Sequence, residues 1–307
     1  MIIDIHTHNG VNWKKAYEGR FPSSSNIEMH KQILKDIRID IAISFPFGHA
    51  LYFDFTNKDR LQPSGFDNFP YHKENIDHLK QCLLFGEGRI IPFVNICPGE
   101  KEDQQIELIQ SHAHEIYGIK FHTTLTQKTS KDLENSGFLQ LAQEHDWGIL
   151  LHSDNTEYGD PCAIYDLAER NPENRFLVAH MGADCNAEFF TKLRNKRLPN
   201  LFIDCSPWFG IVAYNNHFKS DKSLPEDWNS DPYKLFEKFA DEFSDILCFG
   251  TDSPFTTEHL PSENLTVQST YQENIDLLNH IQDPEKRDAV AYKNSLRFLG
   301  KKGETLI

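Results

Sequence analysis

Short apolar runs recur along the chain, each separated from the next by a stretch with helical spacing. Isoleucine at positions 2, 3 and 5 opens the first run. The others are Ile41–Phe45, Arg89–Asn95, Tyr117–His122, Gly148–His152, Arg175–His180, Leu201–Asp204 and Ile246–Gly250. Runs of this length with apolar residues on both faces are the pattern of parallel strands buried on both sides. Between them, helices are predicted over Ile27–Ile37, Lys73–Phe85, Asp103–His114, Gly137–His145, Ala163–Arg170, Ala187–Leu193 and Pro232–Phe243, with two more over Ser262–Ile281 and Pro284–Leu299 closing the chain. Eight such units predict an α/β fold, a closed (β/α)8 TIM barrel, in one domain spanning residues 1–307.

The connections are uneven. Long aromatic-rich loops follow the first, second and seventh strands, at Val11–Asn26, Pro46–His72 and Cys205–Trp228. The turns leading into strands are short. In barrels of this kind the loops after the strands build the active site, so the aromatics at 46–72 are expected to serve as a lid, or those at 46–72 and 205–228 as a surface for a second subunit. A homodimer is therefore among the expectations.

Composition narrows the partners. The formal net charge of −15 disfavours nucleic acid and anionic membrane surfaces, which leaves a small molecule as the expected partner. Six cysteines, at 82, 97, 162, 185, 205 and 248, form no Cys-x-x-Cys pair and read as reduced, buried thiols. Neither a secretory leader pattern nor an apolar run of membrane-spanning length is found, and a cytoplasmic protein is expected.

The chemistry gathers at the ends of the strands. His6 and His8 are two apart, so strand alternation puts both on one face, roughly 6–7 Å apart along the backbone and within reach of one metal ion. The same alternation places Asp4 with them, and Gly10 is expected to end the strand. The fourth run ends in Lys120 and His122, the fifth in His152, the sixth in His180, and the eighth is followed at once by Asp252. So many polar groups at one rim are costly unless they share a site. A pair of histidines ending an exposed strand explains His6 and His8 alone, but not the whole set.

The segments Ile3-Asp4-Ile5-His6-Thr7-His8, Gly118-Ile119-Lys120-Phe121-His122, Ile149-Leu150-Leu151-His152, Val178-Ala179-His180-Met181-Gly182, Gly250-Thr251-Asp252-Ser253-Pro254 and Asn294-Ser295-Leu296-Arg297-Phe298-Leu299 run in order from end to end of the chain. In these the sequence resembles the metal-dependent amidohydrolase superfamily, within the amidohydrolase 2 branch that includes aminocarboxymuconate-semialdehyde decarboxylase and related barrel hydrolases. The resemblance implies that His6, His8 and His152 are metal ligands. It implies that Asp252 binds the metal and accepts a proton from its water. His180 is implied as a ligand of a second metal or as an acid/base group, and Lys120 as either a carbamylated bridge between two metals or an unmodified lysine. Asp252, His180 and Lys120 are thus the expected catalytic residues, and zinc or another divalent ion, one or two per chain, the expected cofactor.

The reaction implied is hydrolysis of a small ester, lactone or amide by metal-activated water. Two alternatives stand beside it: a metal-dependent non-oxidative decarboxylase of an aromatic or unsaturated acid, and a catalytically inactive metal-binding or ligand-sensing barrel. Arg20 and Arg60 are candidates for holding a substrate carboxylate. His122 reads equally as a pocket or a packing residue, and Asp154 as a turn former or a substrate contact. His112 and His114 lie near a helix C-terminus, away from the rim. Ser153 and Ser253 lack the Gly-x-Ser-x-Gly elbow, so serine hydrolase chemistry has no support.

Overall fold

The computed structural model describes residues 1–56, 60–218, 231–260 and 265–307. Its centre is a ring of eight parallel strands: β1 (Ile3–Val11), β2 (Ile41–Pro46), β3 (Ile90–Ile96), β4 (Gly118–Phe121), β5 (Gly148–Leu151), β6 (Arg175–Val178), β7 (Leu201–Asp204) and β8 (Leu247–Cys248). Each pairs with the next in sequence. The ring closes between β1 and the segment after β8. There Ile5 N donates to Phe249 O at 3.0 Å, Asp252 N to His6 O at 2.9 Å and His8 N to Ser253 O at 2.7 Å.

Both faces of the strands are buried. Inside the ring, Ile3, Ile5, Ile43, Phe93, Leu150, Leu177 and Phe202 form one apolar cluster. Phe298 plugs the N-terminal end, and Gly148, the first residue of β5, is obligatory there because a Cβ would lie 2.6 Å from the Phe298 ring. Outside the ring, Val94, Ile119, Ile149, Phe176 and Ile203 pack against helix residues such as Leu34, Ile109, Phe138, Ile164 and Phe239. The sequence's near-continuous apolar runs follow from this double burial.

The helices begin where local chemistry allows. Ile27–Ile37 starts at Asn26, whose side chain accepts from Glu28 N and Met29 N, and ends at Arg38 in the left-handed region. Pro232–Phe243 starts at Asp231 with proline in its first turn.

Four expectations are corrected. Gly10 does not end β1; the strand runs to Val11, and Gly10–Val11 pair antiparallel with Ser24–Ser25. The loop after β7 is helical over Trp208–Phe218, while residues 219–230, Trp228 included, lie outside the described residues. The helix expected from Ser262 begins only at Tyr271; it is preceded by a hairpin of Thr257–Leu260 and Leu265–Gln268, with residues 261–264 outside the described residues. Alternating Thr266 and Val267 favour a strand there. The final helix is interrupted by a π-turn at Ala289–Lys293.

Most aromatics of the segment after β2 pack within the chain. Tyr52, Phe53 and Tyr71 are buried with Ala50 and Cys97 in a small core of their own, with Phe55 and Leu61 against it; Phe66 is exposed. Residues 57–59 of this segment lie outside the described residues.

Candidate active site

Six side chains converge at the C-terminal mouth of the barrel. His6 and His8 project from β1, and Asp252 from the turn after β8. The Asp252 Oδ1 lies 3.0 Å from His8 Nε2 and 3.4 Å from His6 Nε2. The donor atoms of these three residues all lie within 4.8 Å of one another. Lys120 from β4, His180 after β6 and His152 after β5 complete the wall of a small cavity.

Asp204, the last residue of β7, organises the set, although sequence reasoning passed over it. Its Oδ1 accepts from the backbone N–H groups of His180 (3.1 Å) and Ser206 (3.0 Å) and from Ser206 Oγ (2.7 Å). Its Oδ2 accepts from His6 Nδ1 at 2.8 Å. A carboxylate taking these donors fixes the His6 proton on Nδ1, so Nε2 presents its lone pair to the mouth. That buried Nε2 has no hydrogen-bond partner among the described residues. Two imidazole nitrogens and a carboxylate oxygen, all electron-pair donors and mutually close, fit a divalent cation. The signal was in the sequence: a lone acid closing a buried apolar strand at the catalytic end.

Burial sets the protonation states. It holds the imidazoles of His6, His8 and His152 below the ordinary histidine range, and that of His180 down at about 4, so all are neutral ligands or acceptors near pH 7. Burial also pushes Lys120 down to about 7, against the pull of Asp204 and Asp252. The Lys120 Nζ lies 4.8 Å from the centroid of the Phe45 ring and has no hydrogen-bond partner among the described residues.

His152 stands apart from the His6, His8 and Asp252 donors. Strand β5 ends at Leu151, and beyond it the ring turns aside. Its Nδ1 is 3.0 Å from His180 Nε2, and its Nε2 is 3.5 Å from Asp154 Oδ2. His180 in turn directs Nδ1 at the Ser206 carbonyl, 2.7 Å away. A carbonyl only accepts, so His180 carries its proton on Nδ1 and keeps a lone pair on Nε2. His180 and Asp252 both have left-handed backbone, φ 57° and φ 60°, a conformation uncommon outside glycine that clusters at functional sites.

Asp4 departs from its expected place. The pairing of β1 with β2 shifts register between Asp4 and Thr7, which turns Asp4 off the face that bears His6 and His8. Its carboxylate is buried in contacts with Thr251 and Tyr271, and burial raises it to about 7. His122 lines the cavity, stacked on His152 at 4.0 Å, and its Nδ1 also accepts from Leu125 N. Asp154 is a turn former, accepting from Thr156 N at 2.9 Å, and its other oxygen lies 3.5 Å from His152 Nε2.

Neither arginine reaches the mouth. Arg20 pairs with Glu18 at 3.3 Å, and Arg60 lines a separate groove with Gln62, Glu100 and Lys128. The residues that do line the cavity from the loops are Asn12, Lys15, Phe47, His49 and Phe255, none of which a strand pattern reveals. His112 pairs with Glu115, and His114 is exposed, both far from the mouth in the chain's layout.

A closed barrel whose catalytic end gathers histidines, a lysine and carboxylates around a cation-ready cluster defines the metal-dependent amidohydrolase class of enzyme. The chain belongs to the amidohydrolase family, Amidohydro_2, whose model matches residues 3–301. No curated protein matches its sequence. Among solved structures it is similar to an amidohydrolase from Burkholderia multivorans with bound zinc (14% identity, 97% of this chain and 99% of that one, TM-score 0.61). It is similar also to 5-carboxyvanillate decarboxylase from Novosphingobium aromaticivorans, complexed with manganese (11%, 97% and 96%, 0.61). A third is a protein described as a probable 2-pyrone-4,6-dicarboxylic acid hydrolase from Acinetobacter baumannii (15%, 97% and 99%, 0.62). At these identities the likeness carries the fold. Among the described residues no helix is long and apolar enough to cross a membrane.

Proposed function

We propose that the protein is a metal-dependent hydrolase that cleaves a small ester, lactone or amide, with one divalent ion, zinc by its nitrogen and oxygen donor set, held by His6, His8 and Asp252. The observation that carries this reading is the His6 Nε2 lone pair, fixed by Asp204 and set beside the His8 Nε2 and Asp252 Oδ1. Such an ion supplies Lewis acidity and makes water nucleophilic near neutral pH.

The side chains divide the remaining work. Asp252 accepts a proton from the attacking water, since its Oδ1 faces the cluster. His180, neutral with Nε2 free of its own proton, takes that proton over from Asp252 and delivers it to the leaving group, while His152 Nδ1, 3.0 Å from that nitrogen, holds the ring in place. Lys120 places a cation where negative charge develops on the substrate. The cavity between these groups and Phe47, His49 and Phe255 suits a small molecule, in keeping with a ring or planar substrate.

The test is turnover of a panel of esters, lactones and amides, abolished by a chelator and restored by zinc. A zinc-loaded protein inert toward all three bond types sinks the hydrolase reading. Lys120 in its protonated form also favours a second reading, non-oxidative decarboxylation, because that reaction needs a fixed cation beside the departing carboxylate. Release of carbon dioxide from an aromatic or unsaturated acid, without hydrolysis of the panel, selects it.

A further inference from the structure

Behind the mouth, on the outer side of β1, a chain of buried polar side chains runs from the second strand to the eighth. Asn9 Nδ2 donates to Ser44 Oγ at 2.6 Å and lies 3.2 Å from His30 Nδ1. An amide nitrogen only donates, so His30 Nδ1 is the acceptor and its proton sits on Nε2. His30 Nε2 then donates to Tyr271 Oη, 3.3 Å away, and Tyr271 donates its own proton to Asp4 Oδ2.

Asp4 is where the chain ends. Besides Tyr271 it accepts from Thr251 Oγ1 at 2.6 Å, Thr251 N at 3.1 Å and His6 N at 3.2 Å. Four donors thus converge on one fully buried carboxylate, and two of the residues supplying them decide the ion site. His6 is itself a donor of the cluster, and Thr251 immediately precedes Asp252. Thr251 Oγ1 also accepts from Ser253 N at 3.1 Å, so the turn that forces Asp252 into left-handed backbone is tied on both sides. The Asp4 carboxylate therefore clasps β1 to the segment after β8 at the seam where the ring closes. Among the described residues Tyr271 is its one side-chain link to the helix layer, because the phenol belongs to the helix Tyr271–His280.

We infer that Tyr271 is a positioning residue for the ion site: through Asp4 it fixes the separation of His6 and Asp252, and it sets their affinity for a divalent cation without touching the ion or the substrate. The inference rests on the reading above that His6, His8 and Asp252 hold an ion. From Asn9 through His30 to Tyr271 the donors run toward Asp4, so removing the phenol hydroxyl leaves both His30 Nε2 and one lone pair of Asp4 without their partner. Outer hydrogen bonds of this kind tune the ligands they orient, and their loss weakens ion binding about 10- to 100-fold.

The test is titration of the metal-stripped full-length protein with cobalt(II), read by its visible absorption band and by calorimetry, at a temperature where every variant is folded. Tyr271→Phe, which keeps the ring, should bind cobalt at least about tenfold more weakly and shift the band. Asp4→Asn should do so more strongly. Ile275→Val, a buried substitution on the same helix, controls for loosening of that helix and should bind like the unaltered protein. Unaltered affinity and spectrum in Tyr271→Phe, or an equal loss in Ile275→Val, overturns the inference while leaving the ion site standing. An unaltered protein that takes up no cobalt overturns the ion reading itself, and the inference with it.

Discussion

The two ends of the barrel are made from the same strands and bury opposite kinds of side chain. Toward the N-terminal end, Ile3, Ile43, Phe93, Leu150, Leu177 and Phe202 meet around Phe298 without a polar atom to satisfy. Toward the C-terminal end, His6, His8, Lys120, Asp204 and Asp252 are also buried, yet His6 Nε2 and Lys120 Nζ have no hydrogen-bond partner among the described residues. Apolar burial stabilises the fold at about 25 cal/mol per Å², whereas an unsatisfied buried polar group costs about 1–3 kcal/mol. One end thus holds the barrel together, and the other spends part of that stability to keep electron pairs and a cation ready for use.

Substitutions at the two ends should separate cleanly. Asp252→Asn should lower turnover by about 10³-fold or more through loss of an ion donor and proton acceptor. Its thermal unfolding, followed by circular dichroism without added metal, should stay near that of the unaltered protein. Phe298→Ala should do the reverse, costing about 3–5 kcal/mol of stability in urea titrations through the cavity it opens. Cobalt binding by its folded fraction should be unchanged. If Phe298→Ala weakens cobalt binding while folded, the two ends are not independent.

Buried imidazoles away from the mouth supply a further contrast. Burial lowers His78 from 6.5 to about 4, with its Nε2 donating to the Ser44 carbonyl at 2.9 Å. The unfolded chain therefore takes up this proton first as pH falls, and stability is lost between about 6.5 and about 4, by up to roughly 3 kcal/mol from this residue. Urea midpoints measured across that range should fall with pH, and His78→Gln should flatten the slope. A slope unchanged in that variant would place the acid sensitivity elsewhere.

Smaller effects sharpen the comparison. Lys120→Met exchanges a buried amine without a hydrogen-bond partner among the described residues for an apolar chain of similar length. It should stabilise the zinc-loaded protein by about 1–3 kcal/mol while lowering turnover. A variant both less stable and less active would show Lys120 to be a structural counter-charge to Asp204. On the outer surface, Arg170→Ala breaks a two-pronged pair with Glu134, at 2.8 and 2.9 Å, and should shift stability by no more than about 1 kcal/mol with no change in turnover.

The barrel was legible because its strands are buried on both faces, which leaves runs such as Phe176-Leu177-Val178 unmistakable beside the helices. The mouth was legible wherever a polar residue closed such a run, as at Lys120, His180 and Asp252. Alternation misplaced Asp4, because a register shift between Asp4 and Thr7 cannot be seen in a list of residues. It placed His152 only to the end of β5, since the strand stops one residue earlier and the ring is free to turn toward His180 and Asp154. Phe47 and His49 reach the cavity from a loop that packs through Tyr52, Phe53 and Tyr71, and Lys15 from the short helix Trp13–Tyr17, and such paths have no period to read. Tyr271 passed as one more residue of a predicted helix. Its significance lies in a hydrogen bond to Asp4, a partner 267 residues away.

The seam between β1 and the segment after β8 carries a consequence for the order of assembly. The ribosome makes His6 and His8 well before Asp252, with 247 residues separating Asp4 from its partner Thr251. Throughout synthesis the early strand waits with an open edge and two imidazoles, and the ion site comes into being only when the ring shuts. On the proposed reading, loading with metal is then a report of completed closure: a nascent or truncated chain lacking the eighth strand has two of the three proposed donors and no clasp, and the proposed centre forms only once the chain has become a barrel.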